Sequence, residues 1–285
     1  MTNLQLFAVT EQGVQRLAVP AEATDFNNLY DGLPMGVYSA LRTYGHNKFM
    51  GLEAHLERTE RSMALLGWSE RLDRGQLRRA LHEVCTAYPL SDARVRFDVL
   101  AAPATQLGTD SRVLIALLPL VVPPQRFYEE GVAVGYAQDL VREQPLAKRA
   151  DFVPKRRHYV VGSQEHYEYL LLDEAGHILE GTGSNFYGVR DGVVYTAGEG
   201  VLEGITRKLI LDLLPQLGIP VRLEAVQVDE VSLLDEAALS GSSRAFLPVV
   251  AIAGQVVGNG RPGPISQRIL AAYCELVEQM VKTAI

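Results

Sequence analysis

The chain has 285 residues, which is enough for one large domain or two ordinary ones. It carries 27 Lys and Arg against 34 Asp and Glu, for a formal net charge of -7, with 21% charged and 47% hydrophobic residues. This composition disfavours disorder, and it disfavours electrostatic binding of nucleic acid because an acidic chain repels phosphate. No apolar run approaches the roughly 20 residues that span a bilayer, and no basic segment precedes an apolar core at the start. We therefore expect a cytoplasmic protein with no nucleic-acid or membrane partner.

Cysteine and histidine give no sign of a metal or redox site. Cys85 and Cys274 lie far apart in the sequence and belong to no CxxC pair. The six histidines form no HExxH or other close ligand pair. The sequence therefore predicts no metal site and favours an enzyme or a small-molecule binder.

The first part of the chain mixes strands and helices. Apolar and β-branched runs predict strands at 6–9, 14–19, 37–44, 95–100 and 113–118. Apolar residues at helical spacing predict helices at 52–66, which Gly67 closes, and at 74–87, for which Asp73 is a suitable N-cap. Pro123 and Pro124 cannot continue a central strand or a helix. We expect a small N-terminal domain at 1–120, an interdomain linker at 121–128 and a large domain at 129–285.

The second part is rich in hairpins. We expect strands near 132–136, 169–172, 177–179, 186–189, 193–195, 221–226, 237–239, 246–252 and 256–257. Helical spacing predicts two helices, one at 205–217 and one at 265–280. Strands and helices do not alternate strictly, so the pattern indicates an α+β fold.

Three segments of small and hydrogen-bonding residues follow strands or precede a helix, at 179–186, 200–207 and 240–244. Gly181 and Gly183 allow a ligand to approach the backbone closely. Gly204 and Thr206 stand where the predicted helix begins, and free amides together with the helix dipole favour an anion there. Taken one at a time, each segment is more often a simple N-cap or loop. Taken together, two hydroxyl-bearing turns and a helix N-terminus are suited to hold one phosphate.

In their order along the chain these segments resemble class IV (fold-type IV) pyridoxal-phosphate enzymes. That family includes branched-chain aminotransferases, D-amino-acid aminotransferases and aminodeoxychorismate lyases. The motifs that carry the resemblance are GVYSALRTY at 36–44, HLER at 55–58, LEG at 179–181, LEGITR at 202–207, SGSS at 240–243 and GNGRPGP at 258–264. Any one motif is weak, whereas the ordered set is specific and covers nearly the whole chain.

The resemblance implies an α+β fold of two domains, a small N-terminal α/β domain and a larger C-terminal domain with a β-barrel-like core. It implies a homodimer that uses pyridoxal 5'-phosphate to move an amino group between a small-molecule amino donor and a 2-oxo acid. The cofactor-binding residues that it implies are Arg58, Lys148, Glu180, Ser184, Asn185, Gly204, Ile205, Thr206, Ser242 and Ser243. On the substrate side it implies Tyr38, Arg42 and Arg96, although both arginines could equally form ordinary salt bridges.

Two lysines are candidates for the amine that joins the cofactor as an internal aldimine and then acts as the catalytic base. The family places its lysine a little over thirty residues before its glutamate. Lys148 precedes Glu180 by 32 residues and Lys155 by 25, so Lys148 is favoured as the catalytic residue. Lys155, beside Arg156 and Arg157, is more typical of a solvated basic patch.

The sequence departs from the family pattern in ways that leave the substrate open. Many members have a tyrosine a few residues after the lysine, where this chain has Phe152 and Val153. The stretch 94–98 differs from the Tyr-x-Arg-Pro strand of branched-chain enzymes, and 90–128 contains no Arg-x-His pair like that of D-amino-acid enzymes. A lyase that releases pyruvate and 4-aminobenzoate from aminodeoxychorismate remains an alternative. A non-catalytic small-molecule-binding protein on the same fold is a second.

Overall fold

A computed structural model of the protein describes residues 3–159 and 165–283. The chain divides into two compact units. The first unit comprises Met1–Val121, Ala147–Lys155 and Gln279–Ile285, and the second comprises Val122–Leu146 and Arg156–Glu278. The segment that carries Lys148 therefore belongs to the first unit.

The first unit is built on an antiparallel sheet of six strands. They are β1 (Gln5–Thr10), β2 (Gly13–Leu17), β3 (Gly36–Tyr44), β4 (Lys48–Phe49), β5 (Ala93–Leu100) and β6 (Val113–Pro119). Their order across the sheet is β2-β1-β6-β5-β3-β4. Two helices accompany it, α1 (Leu52–Leu65) and α2 (Arg74–Ala87). The predicted N-cap of α2 is confirmed, since the Asp73 carboxylate accepts a 2.8 Å hydrogen bond from the backbone N–H of Gln76.

Two apolar clusters cover this sheet, because successive strand residues point to opposite faces. Leu56 and Met63 of α1 and Leu81 of α2 pack with alternate strand residues such as Val95 and Phe97. A second cluster joins Leu6, Leu114 and Ala116 to Phe26 and Leu29, from the long connection between β2 and β3. The sheet is thus buried on both sides, and side chains such as Ser39 and Arg96 lie deep within the unit.

The remaining strands belong to the second unit. They are β7 (Val132–Ala137), β8 (Glu168–Leu172), β9 (His177–Gly181), β10 (Asn185–Arg190), β11 (Val193–Tyr195), β12 (Val221–Arg222), β13 (Val226–Gln227), β14 (Glu236–Gly241), β15 (Ala245–Ile252) and β16 (Gln255–Val256). The remaining helices are α3 (Gln125–Glu130), α4 (Phe152–Lys155, in the first unit), α5 (Ile205–Leu213) and α6 (Pro264–Thr283).

Six strands of the second unit close on themselves. The ring runs β10-β14-β15-β7-β8-β9 and returns to β10. Most neighbours in the ring are antiparallel, and β7 pairs in parallel with both β15 and β8. Closure removes free strand edges and encloses apolar residues such as Val134, Leu170 and Leu247. The expected α+β fold with a β-barrel-like core is confirmed.

Two predicted elements are wrong in extent. The strand expected at 221–226 is two short strands, of which β12 pairs with β11 and β13 with β9. The helix expected at 205–217 ends at Leu213, because Pro215 has no N–H to continue the helical hydrogen bonds. In the described residues no helix is long and apolar enough to cross a membrane.

Candidate active site

The barrel of the second unit closes where two of the predicted cofactor residues face each other. Asn185 of β10 pairs with Glu180 of β9 in a short antiparallel ladder. The turn between the strands is fixed by a 2.8 Å backbone bond from Gly181 N–H to the Ser184 carbonyl. Ring closure therefore determines where Glu180, Ser184 and Asn185 stand.

The Glu180 carboxylate is buried and well bonded. Its side chain is 2% exposed, and Oε1 accepts from Nε of Arg142 at 2.7 Å. Oε2 accepts from the backbone N–H of Leu202 at 3.1 Å, and the Asn185 amide lies at 3.5 Å. The Glu180 carboxylate is therefore held in place by donors from Arg142, Leu202 and Asn185.

Helix α5 begins directly beside this carboxylate. Nδ2 of Asn185 donates to the Leu202 carbonyl at 2.8 Å, which holds the loop before the helix. A Cβ at Gly204, the N-cap, would lie 2.3 Å from Oδ1 of Asn185, so only glycine fits there. Within residues 3–159 and 165–283, no side chain caps the helix. Oγ1 of Thr206 is buried and has no hydrogen-bond partner among the described residues.

The predicted serine turn is tied to the Glu180 turn by one buried carboxylate. Glu168 is 0% exposed, and its Oε1 accepts from Oγ1 of Thr182 at 3.2 Å and from the backbone N–H of Gly183 at 2.6 Å. Its Oε2 forms an ion pair with Arg244, the residue that follows Ser242 and Ser243. Both serines are partly exposed. The two turns are thus held in a common arrangement within the second unit.

In the first unit, Arg58 is 4% exposed on α1. Its Nη2 donates to Oγ of Ser39 on β3 at 2.8 Å and lies 3.5 Å from Nδ1 of His55. Ser62, one turn further along α1, donates to the Arg58 carbonyl at 2.8 Å. Arg58 is therefore oriented by residues of two elements.

Lys148 is held by the same two elements. Its backbone N–H donates to Oγ of Ser62 at 3.1 Å, and its carbonyl accepts from the backbone N–H of Tyr38 at 3.0 Å. Its ammonium nitrogen lies 4.9 Å from the centre of the Tyr38 ring. The first unit thus brings three predicted residues, Tyr38, Arg58 and Lys148, onto one scaffold. Phe152 and Val153, which stand where many relatives have a tyrosine, are buried.

The two candidate substrate-side arginines are both paired with carboxylates. Arg42 lies 3.1 Å from Asp92 near the surface. Arg96 is 2% exposed, and its guanidinium binds both oxygens of Asp98 at 2.6 and 2.8 Å. It also stacks on the rings of Tyr30 and Tyr38 at 4.0 and 4.1 Å. Burial alone would lower the pKa of Arg96, but Asp98 and the two tyrosines outweigh it and raise that pKa.

Several residues of these sites escaped the sequence patterns. Asp98 was detectable, because it stands two residues from Arg96 on one strand and so shares its face. Arg142 lies in an irregular segment, and its contact with Glu180 has no local signal. Glu168 and Arg244 are 76 residues apart and meet only through barrel closure.

Residues 36–252 match the family model for amino-transferase class IV. The chain belongs to this family. The match covers most of the chain, including Tyr38, Arg58, Lys148, Glu180 and Thr206.

Two curated relatives represent different specificities within class IV. The branched-chain-amino-acid aminotransferase of Escherichia coli K12 is 38% identical over 120 residues, which are 40% of this chain and 39% of that protein. The D-alanine aminotransferase of Bacillus licheniformis is 27% identical over 250 residues, which are 83% of this chain and 86% of that protein. The aligned part thus spans about two fifths of the branched-chain relative and most of the D-alanine enzyme.

Solved structures with the same fold include two branched-chain aminotransferases. The Escherichia coli enzyme is 26% identical, with a TM-score of 0.74, over 95% of this chain and 94% of that chain. The Thermobaculum terrenum enzyme, solved in its PLP form, is 22% identical, with a TM-score of 0.76, over 97% of this chain and 94% of that one.

The residues present fit pyridoxal phosphate, the cofactor of class IV aminotransferases. An uncapped helix start with the buried, unsatisfied hydroxyl of Thr206 is what a phosphate group would complete. The Glu180 carboxylate is a hydrogen-bond acceptor of the kind that suits a pyridine nitrogen, and Lys148 of the first unit carries a primary amine.

Proposed function

We propose that the protein is a pyridoxal-phosphate-dependent aminotransferase, which moves an amino group between an amino acid or amine and a 2-oxo acid. The observation that carries this proposal is the start of α5, where Thr206 has a buried hydroxyl with no partner among the described residues. A buried polar group without a partner is costly, so its retention in a class IV chain favours a ligand that satisfies it. Phosphate oxygens accept hydrogen bonds from hydroxyl and amide donors.

Each predicted residue then has a role that follows from its surroundings. Arg58, Thr206 and Ser242, with backbone amides near Ile205 and Ser243, bind the phosphate. Glu180 would hold the pyridine nitrogen, and Arg142 positions its carboxylate. Ser184, Asn185 and Gly204 maintain the turn and the helix start that present these groups.

Lys148 is proposed as the catalytic residue. When bound, pyridoxal phosphate draws electrons away from the substrate Cα and so makes its proton removable. The amine of Lys148 would take that proton from the substrate Cα and hold it for the return transfer. Two backbone hydrogen bonds and the Tyr38 ring position Lys148, so that the amine needs little reorganisation during the transfer.

The deciding test compares two lysine variants of the whole chain. The wild type, incubated with pyridoxal phosphate, should show the visible absorbance band of cofactor joined to a lysine amine. Lys148→Ala should lose this band. Its rate of amino transfer should fall by at least about a thousandfold, as expected when a covalent catalyst is removed. Lys155→Ala is the matched control and should retain both. A wild type without the band, or a band lost in Lys155→Ala alone, would contradict the proposal.

Product analysis separates the two reactions that share this site. A transaminase forms a new amino acid from pyruvate or 2-oxoglutarate in an amino-donor screen. A lyase releases pyruvate from aminodeoxychorismate without a 2-oxo acid. The resemblance also implies a homodimer, which light scattering of the purified protein tests directly.

A further inference from the structure

Two buried residues next to Arg58, His55 and Ser39, have no role in the function proposed above. His55 and Arg58 are three residues apart on α1, which places them on one face of the helix. His55 is 1% exposed and Ser39 is 0% exposed. Oγ of Ser39 lies 2.8 Å from both Nη2 of Arg58 and Nδ1 of His55. Ser39 therefore bridges the two side chains.

The chemistry of these contacts determines where the hydrogens are. A guanidinium only donates, so Oγ of Ser39 accepts from Arg58 and keeps its own hydrogen for another partner. Among the described residues, Nδ1 of His55 is the acceptor within reach of that hydrogen. Nη2 of Arg58 also lies 3.5 Å from Nδ1. Donors thus face Nδ1 from two sides, which favours an unprotonated Nδ1 with the ring hydrogen on Nε2, a buried nitrogen that has no partner among the described residues.

The electrostatic surroundings keep the imidazole in this neutral form. Burial lowers the pKa of His55 well below 6.5, and the positive charges of Arg58 and Lys148 lower it further. A neutral acceptor orients a guanidinium without placing a negative charge beside it. Arg96 in the same unit is oriented differently: the Asp98 carboxylate holds its guanidinium and also neutralises its charge.

We propose that His55 is a positioning residue for Arg58: acting through Ser39, the neutral imidazole holds the guanidinium in the orientation that binds the cofactor phosphate. This inference rests on the proposed function, because it assumes that Arg58 meets that phosphate. An acid at position 55 would orient Arg58 as well, but it would weaken the attraction of Arg58 for an anion.

The test compares binding of pyridoxal phosphate with binding of pyridoxal, which lacks the phosphate, by absorbance titration. The ratio of the two affinities isolates the phosphate contribution. His55→Leu removes the acceptor and should lower this ratio about tenfold, the scale of one charge-assisted hydrogen bond. His55→Asn places an amide oxygen near the Nδ1 position and should keep the ratio within about twofold.

Two controls separate positioning from a general loss of structure. His82, a histidine on α2 of the same unit, is replaced in His82→Leu, which should leave the ratio unchanged. In an Arg58→Met background, His55→Leu should cause no further loss, since the two changes act on one interaction. Nitrogen-15 shifts of His55 in the holoenzyme at pH 7 should report hydrogen on Nε2.

The possible outcomes are distinguishable. An unchanged ratio in His55→Leu, or equal losses in His55→Leu and His55→Asn, would overturn the role of His55 and leave the aminotransferase proposal intact. A wild type that binds pyridoxal phosphate no better than pyridoxal would contradict the phosphate site itself. A wild type that binds neither would overturn both proposals.

Discussion

Single side chains show two ways in which this acidic chain orients a buried arginine. Arg58 is oriented by neutral groups, whereas Arg96 is oriented by a carboxylate that cancels its charge. The difference matters because an arginine that is already neutralised attracts a second anion weakly. At the start of α5 the donors are backbone amides and the Thr206 hydroxyl, which carry no net charge. The proposed phosphate site therefore depends on the geometry of its donors as well as on charge.

Thr206 allows binding and stability to be separated. Thr206→Val keeps the shape of the side chain and removes the hydroxyl. Without cofactor, the free energy of unfolding should be unchanged or rise by up to about 1 kcal/mol, because a buried unsatisfied hydroxyl is removed. Affinity for pyridoxal phosphate should fall by about tenfold, because a hydrogen bond to a charged group is lost. Urea unfolding and absorbance titration measure the two quantities.

Thr196→Val is the matched control for this substitution. Thr196 is 2% exposed in the same unit, and its hydroxyl already donates to the Phe186 carbonyl at 2.7 Å. Its loss should destabilise the protein by about 1 kcal/mol and leave cofactor affinity intact. If Thr206→Val destabilises as much as Thr196→Val and binds cofactor normally, Thr206 has a structural role instead.

Strands and helices place the site residues through their periodicity. Positions 96 and 98 share a face of β5, which makes the bidentate contact of Arg96 with Asp98 possible. His55, Arg58 and Ser62 share a face of α1 for the corresponding helical reason. Lys148 itself lies in neither a helix nor a strand. Its position depends on backbone hydrogen bonds to Ser62 of α1 and Tyr38 of β3.

Removing one partner of the buried Arg96–Asp98 ion pair should lower the free energy of unfolding strongly. Asp98→Asn leaves the buried charge of Arg96 without its carboxylate and should lower the free energy of unfolding by about 3–5 kcal/mol. Replacing both residues, as in Arg96→Met with Asp98→Leu, should cost less than either single change. Fluorescence of Trp68, the single tryptophan and a residue of the first unit, follows urea unfolding.

Asp92→Asn is the control at the surface. Asp92 pairs with Arg42, but its side chain is 42% exposed, so the loss should stay within about 1 kcal/mol. Equal costs for Asp98→Asn and Asp92→Asn would show that burial adds nothing to the Arg96 pair.

For the whole molecule, the neutral His55 makes stability depend on pH. Above pH 6.5 the imidazole is neutral in both states and adds no pH dependence. Below that pH the unfolded chain binds a proton that the folded chain excludes, because burial lowers the pKa of folded His55 well below 6.5. The free energy of unfolding should therefore fall by up to about 1.4 kcal/mol per pH unit as the pH drops from about 6 to 5.

His55→Asn removes this proton and supplies the comparison. Its unfolding free energy, followed by Trp68 fluorescence under the same conditions, should fall less steeply than that of the wild type over the same range. Parallel curves would mean that His55 is already protonated in the folded protein, against the tautomer inferred from Ser39 and Arg58.

Local sequence patterns were enough to predict the α+β class, most strands, helices α1, α2 and α6, and the motifs around Arg58, Glu180 and Thr206. These features are local, since periodicity, caps and turn residues act over a few positions. Tertiary structure alone decided that Glu180 and Asn185 close a barrel, that Arg142 pairs with Glu180, that Ser39 bridges His55 to Arg58, and that the Lys148 segment belongs to the first unit. Each of these features joins distant parts of the chain. Buried polar and charged groups need hydrogen-bonding partners, and a local pattern does not show which distant residue supplies them.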